Sequence, residues 1–478
     1  MIQRRTKFNP YLLLILSFLG LVFLGSFLLS MPWAFKDNPS HEWCHVGNYL
    51  DAFFTSLSAM SLTGVTTYPD GLVNTLSMGG QIVVIILVQI GGLGIVTILT
   101  FLFTLFRRRL QFKNRLILSQ AIAFNNFSEI VKYVRRLIAI SAICETIGFA
   151  MGIPVFLQLF PDDVFKALCY SLFHSVSAFN NAGFDLFNST SSVTDGLMTA
   201  YGSLIDTSNW LYYYFTAYIM VLSLLGGISF LVIIDIVIGH KPPRLWSAFT
   251  KIALVTTAGM IILGTGGLFL TDGLKGSGSM TIYQAFFQIV NCRTAGFTIY
   301  PQNDISLPGK IICAITMFIG GSPLSTAGGI KVTTFFIIIV SIISYFSGKR
   351  LSPFKRAFSD NVIAKSMSLV FVVFVVLFAA ISLVSVFGIT EVDGYTLNPN
   401  IENNLVEAYI FEVFSCFSNV GFITGLTPYL SIGAKIVLCF LMLLGHLGPM
   451  TFFQLFQNNL DKKANVHYSF VEEDFLIG

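Results

Sequence analysis

Four short polar runs, each centred on a glycine and set between apolar stretches, divide this chain into copies of one unit. They read Leu62-Thr63-Gly64-Val65, Asn181-Ala182-Gly183-Phe184, Thr294-Ala295-Gly296-Phe297 and Asn419-Val420-Gly421-Phe422. A phenylalanine stands ten residues before each glycine, at Phe54, Phe173, Phe286 and Phe411, and the glycines lie 119, 113 and 125 residues apart. A period near 120 in a chain of 478 residues is an internal repeat, and four copies must share one architecture.

With 54% hydrophobic residues, 11% charged residues and a mean hydropathy of +0.77, the chain is too apolar for a soluble globular domain and reads as a helical integral membrane protein. The dozen or so residues before each glycine suffice for about three helical turns, too few to cross a bilayer. They read as re-entrant pore helices, because unpaired backbone at membrane depth is tolerated only where it is buried in protein or lines a wet cavity. Four such segments around one axis would bring together carbonyl oxygens able to replace the water shell of a monovalent cation. The negative ends of four helix dipoles would assist. Glycine supplies the positive φ that such a turn needs.

The expected fold class is therefore an all-α membrane protein of four pseudo-fourfold repeats. Each holds an outer helix, a re-entrant pore helix with its filter strand, and an inner helix, giving eight spanning helices and four pore helices. The repeats divide as 1–110, 111–240, 241–350 and 351–478. Repeat one reads as spans 11–31 and 75–106 around a pore helix at 49–61. Repeat two reads as 137–160, 164–179 and 210–238, repeat three as 246–270, 282–290 and 308–346, and repeat four as 366–390, 405–417 and 430–456. Of the 28 Lys and Arg residues, 21 fall in the N-terminal segment, the tail and the three junctions between repeats, typified by RRRLQFKNR, GHKPPRLWSAFTK and GKRLSPFKR. The positive-inside rule makes those regions, and both termini, cytoplasmic. The seven cysteines are scattered without a CxxC pair and read as packing residues.

The inner helices repeat as well: Gly91-Gly92, Gly226-Gly227 and Gly445-His446 are small-residue faces that permit close packing. Repeat three departs. Its matching pair, Gly328-Gly329, is displaced by the added run GGSPLSTA. Gly320, Gly321, Ser322, Pro323, Ser325, Thr326, Gly328 and Gly329 cannot easily continue a helix. The third inner helix should break into a loop just below the glycine strand, across the conduction path, and residues 320–331 are the candidate gate. Lys331 is an ionisable group inside a spanning segment and joins the gate by default, with His446 at similar depth in repeat four. Arg293, the sole charge in any filter segment, is expected to point behind the strand and pair with Glu412 as architectural support. Glu145 stands alone in its helix, and His174 reads as a pore-helix packing residue.

SLTGVTT, SAFNNAGF, NCRTAGF and SNVGF, with SPLSTAGGIKVTTF and GHLGPMT, resemble the Trk/Ktr/HKT superfamily of potassium transporters, closest to the KtrB and TrkH membrane pore subunits, over essentially the whole chain. The resemblance implies potassium uptake at the plasma membrane of a prokaryote through one pore per chain, a homodimer, and a separate cytosolic ring of nucleotide-binding KtrA/TrkA-like regulator subunits. It puts the K+-binding carbonyls at Leu62, Thr63 and Gly64, at Asn181, Ala182 and Gly183, at Thr294, Ala295 and Gly296, and at Asn419, Val420 and Gly421. Glycine in all four copies goes with potassium preference in that family. Two positions depart from its pattern: His446 stands where arginine is usual, and Leu324 where glycine is frequent. A histidine there leads to the expectation that flux changes across neutral pH.

K+ is thus the expected transported ion, with Na+ as a stimulating ion and no organic cofactor. Sodium conduction or coupling is the alternative within the class, and a secondary transporter of another small solute the alternative outside it. The latter would show inverted repeats and paired broken helices, whereas these four repeats run in one sense. No catalytic constellation and no nucleic-acid signature is present.

Overall fold

The computed structural model describes residues 10–36, 46–94, 130–187, 210–239, 242–274, 279–349, 352–390, 399–402 and 404–449. The basic cluster at 107–109, the loop 188–209 and the tail 461–478 lie outside the described residues. The described residues are mostly helical and form no strand; there are three isolated bridge pairs, of which Ile319 with Ile330 closes the base of the candidate gate loop.

One order of helices recurs four times. Repeat one has an outer helix at Pro10–Leu29, a short helix at Val46–Met60 and an inner helix at Met78–Leu93. Repeat two has Ile130–Leu159, Val164–Phe179 and Trp210–Gly227; repeat four has Asp360–Phe387, Leu405–Ser418 and Ile432–Leu447. In repeat three, Ala248–Leu268 and Ile282–Cys292 are followed by an inner helix in two pieces, Leu307–Phe318 and Val332–Ser347. Helix starts are written locally: the side chains of Ser77, Asp163, Ser247, Ser306 and Ser431 each accept from a backbone N–H one turn on, and Thr281 with Gln284 forms a capping box.

The expectation that only the third inner helix is interrupted is too narrow. The second also breaks, at Ile228 and Ser229, where the Ser229 side chain caps a new turn at Phe230–Ile233 that runs into a π-helical turn at Ile234–Ile238. Its cause lies in the neighbouring loop 320–331, whose Leu324 carbonyl accepts from Phe230 N at 3.3 Å, taking a backbone donor at the start of that new turn.

Burial is inverted relative to a soluble domain. Large apolar side chains on the outer helices stand out, with Leu263 75%, Phe371 70% and Phe378 68% exposed, while Ser56, Ser58, Thr63, Ser175, Ser177, Asn180, Asn181, Ser415 and Asn419 at the centre are buried. An apolar rim around a polar axis suits hydrocarbon outside and a hydrated path inside. Four helices among the described residues are long and apolar enough to cross a membrane, at Val134–Leu159, Trp210–Gly227, Ala248–Gly273 and Asp360–Phe387. Two ion pairs tie an inner helix to the next repeat's short helix: Lys310 to Glu407 at 2.7 Å and Lys435 to Asp51 at 2.9 Å.

Candidate functional site

Each short helix ends in the same backbone device. Leu62, Asn181, Thr294 and Asn419 have φ of 61°, 56°, 76° and 53°, and two residues later Gly64, Gly183, Gly296 and Gly421 have φ of 84°, 70°, 76° and 97°. In three copies the left-handed residue donates to the carbonyl three residues back, and the next N–H reaches five back. These second bonds run from Thr63 to Ser58, Ala182 to Ser177 and Val420 to Ser415, at 2.8, 2.9 and 3.0 Å. That pair of bonds is a Schellman ending, with the left-handed residue just past the helix. Asparagine is a natural occupant at Asn181 and Asn419. Leucine at 62 is not, costing roughly 1–2 kcal/mol that packing must offset.

The four strands meet around one centre. A methyl group added at Gly64 would overlap the Ala182 carbonyl oxygen, one at Gly296 that of Val420, and one at Gly421 that of Thr63. At Gly183 it would come within 3.0 Å of the Ala295 carbonyl and 3.3 Å of the Val420 carbonyl. The carbonyls before the glycines therefore converge from all four repeats, in the order one, two, three, four and back to one. Each glycine has both a positive φ and a neighbouring carbonyl where a side chain would begin.

The inner-helix glycines serve this ring. Methyl groups at Gly91, Gly226 and Gly445 would run into the carbonyls of Met60, Phe179 and Phe417, each four residues before its strand glycine. Their close packing is thus against the carbonyl ends of the short helices. Two strand asparagines tie back to the same inner helices. Asn419 Nδ2 donates to the Met442 carbonyl at 3.1 Å, and Asn181, with its amide oriented by its neighbours, donates to the Ser223 carbonyl at 2.9 Å. Met442 and Ser223 occupy equivalent places, three residues before Gly445 and Gly226.

In repeat three the inner helix gives way to a loop. Ile330 N donates to the Phe318 carbonyl at 3.2 Å and Val332 N to that of Gly321 at 3.1 Å, so the loop leaves and re-enters at one point. Its span rests on the interrupted second inner helix: Ser322 N donates to the Gly227 carbonyl at 3.3 Å, and Thr326 Oγ1 to that of Gly226 at 3.0 Å. Ser325 Oγ donates to the Ser322 carbonyl at 2.7 Å, and Leu324, beside Pro323, takes a left-handed φ of 58°. Gly320 and Gly328 pack backbone to backbone, and a methyl at Gly328 would lie 2.7 Å from the Ser418 carbonyl at the end of short helix four. Gly329 turns the chain at φ 69°. Lys331 directs its ammonium at the Ala327 carbonyl of this same loop.

Other candidates fall beside the ring. His446 Nδ1 lies 3.1 Å from the Ser61 carbonyl, and its ring packs 5.2 Å from Phe18. Arg293 is buried, and it does not pair with Glu412. Its Nη2 donates to the Gly320 carbonyl at 3.3 Å, at the base of the loop. Glu412 is consumed elsewhere: it accepts from Thr424 N and Oγ1, Leu426 N and Thr427 Oγ1 at 3.2, 2.9, 3.1 and 2.8 Å, strapping the segment after strand four to its own short helix. Spacing could not expose this, because a carboxylate facing four local donors needs no distant cation.

Sequence reading passed over two further straps of the same kind. His174 Nε2 accepts from Leu186 N at 3.3 Å while Nδ1 faces the Tyr170 carbonyl at 2.8 Å, so this packing histidine also holds the segment after strand two. In repeat three Gln288 Nε2 donates to Gln302 Oε1 at 2.7 Å. The visible signal was a buried polar residue on an otherwise apolar short helix, at the same distance before the glycine in His174 and Glu412.

The model of the family described as TrkH, cation transport protein, matches residues 33–257 and 260–468. The potassium/sodium uptake protein NtpJ of Enterococcus hirae is 31% identical, over 99% of this chain and 98% of that protein. The Ktr system potassium uptake protein B of Bacillus subtilis is 29% identical over 97% and 96%, and that of Vibrio alginolyticus 31% over 92% and 89%. The crystal structure of the potassium transporter TrkH from Vibrio parahaemolyticus superposes with a TM-score of 0.66 at 17% identity, covering 95% of this chain and 86% of that one, a likeness of fold. Helix order, fourfold ring and these matches lead to one assignment: the chain belongs to the TrkH family of cation transport proteins, within the Trk/Ktr superfamily of potassium transporters, and it is a transporter and not an enzyme.

Proposed function

We propose that the ring of Thr63, Ala182, Ala295 and Val420 carbonyls, with those of the flanking left-handed residues and glycines, is the selectivity filter of a potassium uptake pore. The observation that carries this reading is the convergence of four identically turned strands on one centre. A dehydrated monovalent cation there meets oxygens in place of water, and the four short helices end at it with the negative ends of their dipoles. Each repeat, divided near residues 110, 240 and 350, would cross the membrane twice, with the basic junctions and both termini cytoplasmic.

The loop 320–331 is the proposed gate. It is supported by its place beneath Ser418 and Asn419 and by its attachment to a second interrupted helix rather than to an unbroken wall. Lys331 holds the loop's own carbonyl, and His446 of repeat four braces Ser61 of the adjoining repeat one. Opening would exchange the Thr326–Gly226 and Ser322–Gly227 bonds for water. The names of the Ktr relatives support a multicomponent system, in which this chain would be the membrane pore subunit, assembled as a homodimer on a cytosolic nucleotide-binding ring.

Sodium is the second reading, favoured by the potassium/sodium name of the Enterococcus relative, either as a permeant ion or as a stimulating one. The test is rubidium uptake in cells lacking their own potassium uptake, with and without external sodium, beside Gly64→Ser. Saturable uptake weakened in the variant is the expected result. Uptake indifferent to Gly64→Ser would sink the filter assignment.

A further inference from the structure

Outer helix two, inner helix one and short helix two meet at one carboxylate that the filter and gate do not use. Glu145 lies within the candidate span Val134–Leu159, partly buried, and among the described residues no Lys, Arg or His stands within ion-pair distance of it. An ionisable group at that depth is retained against a cost. Three side chains satisfy it. Oε1 accepts from Ser141 Oγ at 2.9 Å, Gln89 Nε2 at 3.0 Å and Asn180 Nδ2 at 3.1 Å, and Oε2 takes a second contact from Gln89 Nε2 at 3.2 Å. Its backbone is fixed as well, since Ser175 Oγ of short helix two donates to the Glu145 carbonyl.

Asn180 is the connection to the ring. It caps the C-terminus of short helix two, is buried, and immediately precedes left-handed Asn181. Its Nδ2 also donates to Gln89 Oε1 at 3.1 Å and to the Val176 carbonyl at 2.9 Å. Three side chains therefore form a triangle of hydrogen bonds that ends on the carboxylate: Gln89 donates to Glu145, and Asn180 donates to both Glu145 and Gln89, its two amide hydrogens shared among these and the Val176 carbonyl. A carboxylate offers an acceptor to Gln89 Nε2 at both oxygens, whereas an amide in its place would set an N–H against Gln89 Nε2 or Asn180 Nδ2. Asn180 is packed tightly against inner helix one, where a methyl at Gly92 would lie 2.5 Å from its Cγ. The equivalent positions in the other strands are Ser61, Arg293 and Ser418, none an amide, so this device belongs to the second quadrant alone.

We propose that Glu145 is a positioning residue for the second filter strand, which sets the preference among monovalent cations by fixing Asn180 and, through it, the Asn181 and Ala182 carbonyls. The proposal rests on the filter reading above. An amide at position 145 turns one N–H toward a donor of Gln89 or Asn180, and the resulting rotation passes to the next peptide of the strand. Exchanging the two side chains restores the polarity, with the carboxylate at 89 accepting from Asn180 and from an amide at 145.

The experiment compares E145Q, Q89E, the exchanged double variant and Gly64→Ser in full-length protein expressed in uptake-deficient cells. It measures KM and maximal rate for rubidium and sodium, with membrane abundance determined alongside. The expected result for E145Q is an increase in rubidium KM and a loss of rubidium-over-sodium discrimination of about fivefold each, with the double variant returning to within about twofold of the parent. Ser141→Ala, which removes one donor and keeps the carboxylate, shifts discrimination the same way by about twofold and serves where E145Q does not reach the membrane. Unchanged discrimination in E145Q or Ser141→Ala at normal abundance, beside an altered Gly64→Ser, overturns the proposal and leaves the filter standing. A double variant as impaired as E145Q overturns the polarity argument. Ion preference unmoved in Gly64→Ser as well means that the filter reading itself has failed.

Discussion

The side chain of Asn419 in the fourth repeat donates to the Ser61 carbonyl in the first, 3.0 Å away and 358 positions earlier in the chain. The same amide reaches Thr63 Oγ1 at 2.9 Å and the Met442 carbonyl at 3.1 Å, and His446 Nδ1 approaches Ser61 from the same repeat. The fourth and first repeats are thus joined by a buried amide as well as by His446 and the Lys435–Asp51 ion pair. The left-handed backbone of Asn419 adds a second reason for asparagine.

Asn419→Ala removes an amide whose two hydrogens serve three acceptors, and a residue suited to its φ, and should lower the stability of the purified protein by about 2–4 kcal/mol. Asn419→Asp keeps the backbone preference but sets a buried carboxylate against the Ser61 and Met442 carbonyls, so it should be the worse of the two. Thermal unfolding in detergent orders them. If the aspartate variant proves as stable as the parent, the amide does not close the ring.

Gly226→Ala and Gly445→Ala should each cost about 1–3 kcal/mol or prevent membrane accumulation, because the new methyl meets a short-helix carbonyl that cannot move without shifting its strand. Gly259→Ala, in open surroundings on outer helix three, is the control and should be neutral or slightly stabilising. Abundance in membranes and melting temperature separate the two classes.

The four repeats were legible because a glycine with a carbonyl at its face and a positive φ admits nothing else, so the requirement is printed at Gly64, Gly183, Gly296 and Gly421. The left-handed turn two residues earlier was not, since Leu62 and Thr294 are held there by packing and hydrogen bonds that no local preference announces. The break after Gly320 was visible in its own composition. That at Ile228 was invisible because the neighbouring loop 320–331 supplies its alternative hydrogen bonds. Opposite charge suggested that Arg293 and Glu412 pair, whereas Glu412 is satisfied by nearby backbone and hydroxyl groups and Arg293 donates from Nη2 to the Gly320 carbonyl.

That last geometry is testable by a double-mutant cycle. Arg293→Met and Glu412→Gln should each impair the protein, the first through the base of the loop 320–331 and the second through the segment at Thr424 to Thr427. Their effects should add, with a coupling energy below about 0.5 kcal/mol in unfolding measurements. A coupling several times larger would restore the ion pair.

His446 packs against Phe18 and faces the Ser61 carbonyl, an arrangement that needs a donor more than a charge. His446→Gln supplies an amide donor and should keep rubidium uptake within about twofold of the parent from about pH 6 to 8, with the same pH profile. His446→Leu withdraws the donor and should weaken uptake throughout. A pH response present in the parent and missing from the glutamine variant would instead make His446 a titrating element of the gate.

Thr326 offers the most direct test of the loop 320–331. Its hydroxyl donates to the Gly226 carbonyl at 3.0 Å, and its backbone N–H makes a longer contact with the same oxygen at 3.4 Å, so Thr326→Val removes the better bond and keeps the shape. One such bond is worth about 1 kcal/mol net, equivalent to about fivefold in an equilibrium between seated and displaced loops. If the seated loop obstructs the path, the variant should raise the maximal rate of rubidium uptake by up to that factor. The KM and the ratio to sodium should not change, because the carbonyl ring above is untouched. A changed KM with an unchanged rate would place the loop in ion binding instead of gating, and no change in either would mean that the contact with Gly226 does not control the flow.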